Sequence, residues 1–119
     1  MVSVDVLLIE DEPSIAEAVR FILSRDGWHC EQWPEGTGAL NRIRALAPRL
    51  VVLDLMLPGR SGAEVLADLR ADPALSRLPV LLLSAQGMAN LPPGADRILP
   101  KPFANADLRA VVRELLATA

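Results

Sequence analysis

The sequence predicts a doubly wound α/β domain, a parallel sheet with helices on both faces. Short unbroken apolar runs alternate along the chain with stretches of helical spacing. Each helical stretch carries a single apolar stripe, as a helix lying on a sheet requires. The chain has 119 residues, 51% of them hydrophobic, which suits one compact domain with a sizeable core.

The first apolar run is Val6-Leu7-Leu8-Ile9, four residues without a polar break, as expected of a strand buried on both faces. Ile15, Val19 and Ile22 then fall at i, i+4 and i+7 with Ala18 beside them, which predicts the first helix. Pro13 suits its first turn, where a missing N–H costs nothing, and Gly27 suits its end. Residues 28–33 supply a less apolar strand, expected near an edge. Leu40, Ile43 and Leu46 mark a second helix, and Leu50-Val51-Val52-Leu53 a third strand. Val65, Leu66 and Leu69 mark a third helix, and Val80-Leu81-Leu82-Leu83 a fourth strand. Ile98-Leu99 is a weaker fifth strand, in which Pro100 points to an edge position. Leu108, Val111, Val112, Leu115 and Leu116 form the stripe of the last helix. No repeat, low-complexity tract or linker interrupts the pattern, so the chain reads as one domain over 1–119.

The bulk composition excludes several function classes. Net charge is −3, from 15 acids against 12 Lys and Arg, and the bases are scattered. A phosphate backbone needs clustered positive charge, so nucleic acid is not expected as a direct partner. Cys30 is the sole cysteine, which rules out an internal disulfide, and with the single His29 it makes a poor metal site. His29 and the two tryptophans, Trp28 and Trp33, are expected to serve the second strand as surface and packing residues. No signal peptide pattern opens the chain, and no apolar run approaches the roughly 18 residues of a membrane span. A soluble cytoplasmic protein with no membrane partner is the expectation.

In doubly wound sheets, sites form at the carboxyl ends of the strands. There the first run ends in Glu10-Asp11, the third in Asp54, the fourth in Ser84 and the fifth in Lys101. Taken singly each has a plain structural use. Glu10 and Asp11 can favour the start of the first helix, Asp54 and Ser84 can cap or turn, and Lys101 can be solvated. Brought together they suit one reaction. Clustered carboxylates repel one another, and a divalent cation with a preference for oxygen, such as Mg²⁺, relieves the conflict. A carboxylate can attack phosphorus to give an acyl phosphate. The cation and Lys101 then offset charge on the phosphoryl group, and Ser84 can donate a hydrogen bond to it.

These motifs resemble the receiver domains of two-component response regulators, the fold of the chemotaxis protein CheY, over nearly the whole chain. Leu7 to Pro13 is similar to the acidic pair after the first strand. Val51 to Gly62, reading VVLDLMLPGRSG, is similar to the segment around the phosphorylated aspartate and is the most specific match. Leu83-Ser84-Ala85, Gly94-Ala95-Asp96 and Lys101-Pro102-Phe103 match the later motifs. The resemblance implies a five-stranded sheet in the order 2-1-3-4-5. It implies that Asp54 accepts a phosphoryl group from a histidine kinase or phosphotransfer protein, so that the chain is a signalling domain, not an enzyme beyond self-catalysed phosphorylation and slow dephosphorylation. It implies Mg²⁺ held by Asp11, by Asp54, by Glu10 through water and by the backbone carbonyl of Met56. Ser84 and Lys101 would face the phosphoryl group, and the Lys101–Pro102 bond would be cis. A downstream protein target is implied without being named, and a homodimer is left open.

Two departures bear on output. Residues 85–95, AQGMANLPPGA, stand where the family places a helix of several turns, and Gly87, Pro92 and Pro93 leave one turn at most. Ile98 stands where many receivers carry Tyr or Phe, so no ring is present to turn inward. These departures motivate an alternative reading, a pseudo-receiver that keeps the pocket but acts as a protein-binding module. A phosphatase of the haloacid-dehalogenase-like type is disfavoured because Met56, not a second acid, follows Asp54 at two residues. No Gly-x-Gly-x-x-Gly follows the first strand, which disfavours a dinucleotide fold.

Overall fold

The computed structural model describes residues 3–85 and 90–118. The elements run β1 Val6–Ile9, α1 Pro13–Arg25, β2 Cys30–Trp33, α2 Ala39–Leu46, β3 Leu50–Asp54, α3 Gly62–Ala71, β4 Val80–Ala85, β5 Arg97–Lys101 and α4 Asn105–Thr118. The five strands form one parallel sheet in the order β2-β1-β3-β4-β5. Asp54 stands in register with Leu83, and Ser84 with Pro100.

The central strands are apolar on both faces because both faces are covered. Val6, Leu8, Leu50, Val52, Leu81 and Leu83 face a layer built on α1 and α4, where Val19, Leu23, Leu108 and Val112 complete the packing. Leu7, Ile9, Val51, Leu53, Val80 and Leu82 face the layer of α2 and α3, with Ile43, Leu66 and Leu69. Strand alternation therefore carries straight on to the site: Glu10, Asp54 and Lys101 continue the α1/α4 face.

Local chemistry sets the helix starts that frame the site. Pro13 opens α1 and Gly27 follows its end with φ +88°. Ser61 and Glu64 form a reciprocal capping box at α3. Gly62 can only be glycine there: an added Cβ would lie 2.3 Å from the Asp54 carbonyl oxygen and 2.7 Å from Leu55 Cα. The first turn of α3 is thus pressed against the end of β3, and the Gly62 amide donates to the Leu55 carbonyl at 2.9 Å.

β2 and β5 are the edges, as their weaker apolar runs predict. Only Leu99 of β5 is buried, which lets Pro100 sit there. Trp28 and Trp33 are half-buried against the two core layers, and the Trp33 ring N–H donates to the Thr37 carbonyl at 2.9 Å. His29 pairs with Glu31 at 2.7 Å. Neither Ala85 nor residues 90–96 are helical, in line with the shortened connection; residues 86–89, on which part of the one-turn expectation falls, lie outside the described residues. Among the described residues no helix is long and apolar enough to cross a membrane.

Candidate functional site: an acidic cleft at the strand ends

Glu10, Asp11 and Asp54 each offer a carboxylate oxygen, and these oxygens lie within 4.8 Å of one another. Glu10 and Asp54 come from the ends of adjacent strands and are buried, whereas Asp11, one residue past the strand, is exposed. Lys101 reaches in from β5 and places its Nζ 2.8 Å from Glu10 Oε1 and 3.2 Å from Asp54 Oδ2. Four of the residues that the sequence singles out thus converge on one point. They open into a cleft of about 950 Å³ whose rim includes Met56 and Ala85 and whose wall is formed by Ile15, Ile22, Pro102 and Phe103.

Glu10 is the most constrained of the group. It has no exposed surface. Burial pushes its carboxyl up to about 7; the Lys101 hydrogen bond pulls it down, while the hydrogen bond and charge of Asp54 add to the rise. Its Oε2 accepts from the Glu12 amide at 3.3 Å, so it also steadies the start of α1. Burial pulls the Lys101 ammonium down, but its hydrogen bond to Glu10 and the charge of Asp54 outweigh this, and the net shift is upward. One ammonium is therefore shared by two acids, and the third acid has no share of it. A divalent cation with oxygen preference fits this donor set, because it would supply the positive charge that three converging carboxylates lack.

Ser84 is placed differently. It is buried at the end of β4, but alternation puts it on the α2/α3 side with Leu82, and it is not among the residues lining the cleft. Met56 turns its side chain to solvent, 68% exposed, while its amide donates to Asp54 Oδ1 at 3.4 Å. That arrangement leaves the Met56 backbone, not its thioether, beside the acids. The Lys101–Pro102 bond is cis. Ile98 lies exposed on β5, 41% accessible. Sequence reasoning missed the Lys101 bridge to Glu10 and the apolar cleft wall. Ile15 and Ile22 show a core-like helical period, and periodicity alone cannot tell a cleft wall from a core.

Comparison with known proteins accounts for this geometry. The family model of the response regulator receiver domain matches residues 6–113. The DNA-binding response regulator MtrA of Mycolicibacterium smegmatis is 39% identical over 116 residues, 93% of this chain and 50% of that protein. The chain therefore spans about half the length of this curated relative. A crystal structure of a putative response regulator from Chloroflexus aurantiacus superposes with a TM-score of 0.90 at 29% identity, covering 98% of this chain and 99% of the other. The receiver domain of a Pseudomonas aeruginosa sensor histidine kinase, described with a magnesium ion coordinated in its active-site cleft, superposes at 0.89 over 98% of this chain and 99% of its own; at 22% identity that likeness speaks for the fold.

One expectation is overturned. The partner assignment set nucleic acid aside, yet the MtrA relative is by name DNA-binding. The charge argument fails because net charge and scattered bases describe only this chain, which spans about half the length of that relative. The match over residues 6–113, the 2-1-3-4-5 sheet and the identity to MtrA agree: the chain belongs to the response regulator receiver domain family.

Proposed function

We propose that Asp54 is the phosphoacceptor of this receiver and that Mg²⁺, held by Asp11, by Asp54, by Glu10 through water and by the Met56 carbonyl, supports the transfer. The observation that carries the reading is the convergence of Glu10, Asp11 and Asp54 within 4.8 Å, with Lys101 2.8 Å from Glu10. A carboxylate oxygen of Asp54 attacks phosphorus of a kinase phosphohistidine; the O–P bond forms as the N–P bond breaks, and the departing imidazole takes up a proton. The cation supplies charge neutralisation for the phosphoryl oxygens. Lys101, released from part of its pairing with the acids, meets a phosphoryl oxygen. Ser84 donates to another once the end of β4 turns it toward the cleft. The phosphorylated domain then regulates a partner.

The test uses Mg²⁺ and a small acyl-phosphate donor, with the product weighed intact. The expected result is one added phosphoryl group, absent in Asp54→Asn and absent when the metal is chelated. Incorporation that survives both changes refutes the proposal.

The alternative, a pseudo-receiver acting only as a binding module, draws on Ile98. It is exposed on β5 and carries no ring. A beryllofluoride complex at Asp54 that leaves the amide resonances of residues 90–103 unmoved favours that alternative; displacement along this stretch defeats it.

A further inference from the structure

With no helix in its described part, the β4–β5 connection is tied to α3 by one arginine, beside the packing of Leu91 and Ala95 on the α2/α3 layer. Arg70, in the last turn of α3, donates from Nε to the Gly94 carbonyl at 2.8 Å. Its Nη1 donates to the carbonyls of Ser76 at 3.0 Å and Leu78 at 2.7 Å. Its Nη2 meets Asp96 Oδ2 at 2.9 Å. Asp96 Oδ2 accepts the Val80 amide at 2.7 Å as well, and the Asp96 amide donates to the Val80 carbonyl at 3.0 Å. One planar guanidinium thus ties α3, the loop before β4, the first residue of β4 and the turn into β5. Gly94 fits against the stem of that side chain. Its φ is +107°, and a Cβ there would lie 3.3 Å from Arg70 Cγ and 3.7 Å from Leu66 Cγ.

β5 needs such a hold. It is an edge strand with one buried residue, and Arg97 at its start pairs with Glu114 of α4. Yet β5 carries Lys101, which lies about 13 Å along the strand from Arg97 and must meet Glu10 and Asp54 to within a few tenths of an ångström.

We infer that Arg70 is a positioning residue: its guanidinium fixes the start of β5 against α3, and so sets where Lys101 enters the acidic cleft. Its importance for signalling rests on the reading of Lys101 given above. Its test does not, because strand protection and the Lys101 side chain report position whether or not Asp54 takes a phosphoryl group.

The experiment compares the full chain with R70Q, R70K and R109Q. The last breaks the bidentate pair between Arg109 of α4 and Asp26, just past α1, a comparable contact that involves no residue of β5. In R70Q, amide exchange at residues 97–99 and 101 is expected to quicken about tenfold relative to residues 50–54, a local opening and not a global one. The Lys101 Cε–Hε resonance is expected to shift toward that of a solvated lysine. R70K, which keeps the charge with fewer donors, falls between, and it carries the comparison should R70Q not fold. R109Q leaves the β5 to β3 exchange ratio and the Lys101 resonance unchanged. An R70 variant whose β5 exchange rises only in step with β3, or whose Lys101 resonance stays put, overturns the inference. So does an R109Q that behaves like R70Q.

Discussion

Glu10, Asp54 and Lys101 are written far apart, and only strand alternation brings them to one face. Glu10 is a buried acid whose one cationic partner among the described residues is shared with Asp54. Removing that partner should therefore cost more than removing a surface lysine. Lys101→Met is expected to destabilise the metal-free protein by about 2 kcal/mol, since it leaves buried acids without a counter-charge. Added Mg²⁺ should return part of the loss, because a ligand bound only by the folded state stabilises it. Urea denaturation with and without the ion reads both effects; an unchanged midpoint in Lys101→Met counts against the pairing. Much at this scale was legible: acids at two strand ends and a lysine at a third are visible in the chain. The side of Ser84 was not, because its place depends on counting alternation to the tip of β4, where the strand ends and the motif alone gives no direction.

Elements hold these residues at fixed spacing. The first turn of α3 is pressed so closely on β3 that Gly62→Ala is expected to cost about 1–3 kcal/mol, by forcing backbone apart next to Asp54. Ser61→Ala, one residue earlier, should cost about 1 kcal/mol through loss of the capping box and leave the site intact. Thermal melts of the two variants, with phosphorylation rates beside them, separate strain at the site from loss of a cap. Across the molecule, Arg109 holds α4 to the end of α1 by a bidentate bond to Asp26, at 2.8 and 2.9 Å. The Arg109 hydrogen bond, aided by the charges of Arg113 and Arg25, holds the Asp26 carboxyl below its ordinary 3.8. A depressed carboxylate contributes stability above the unfolded value and loses it as pH falls through the folded one. The acid limb of the stability curve should therefore flatten below about pH 4 in Asp26→Asn relative to the parent, as read by Tm against pH. Neither the Asp26 nor the Arg70 contacts were legible in sequence. Asp26 and Arg109 lie 83 positions apart, and Arg70 chiefly meets backbone carbonyls, which carry no sequence signature.

At the level of the whole molecule, one sheet separates two apolar layers. Leu23 belongs to the α1/α4 layer and Leu69 to the α2/α3 layer, and both are fully buried. Leu23→Ala and Leu69→Ala are each expected to cost about 2–5 kcal/mol. Their sum should hold in the double variant to within about 0.5 kcal/mol, since the sheet keeps them from touching. A large coupling, measured by chemical denaturation, would mean that the layers are not independent. The architecture itself was the most legible part of the sequence, because buried strands must be apolar without interruption and helices on a sheet need one stripe each. Charge was the least transferable signal. It describes the surface of this chain and not the partners of the longer proteins to which the chain is related.

The central claim is that one carboxylate, among three that converge, accepts the phosphoryl group. It is tested most directly by trapping the acyl phosphate with borohydride after reaction in Mg²⁺ and sequencing the reduced protein. The account predicts reduction to the alcohol at position 54 alone, and none when the metal is withheld. Reduction at position 10 or 11, or an equal yield without metal, would contradict it.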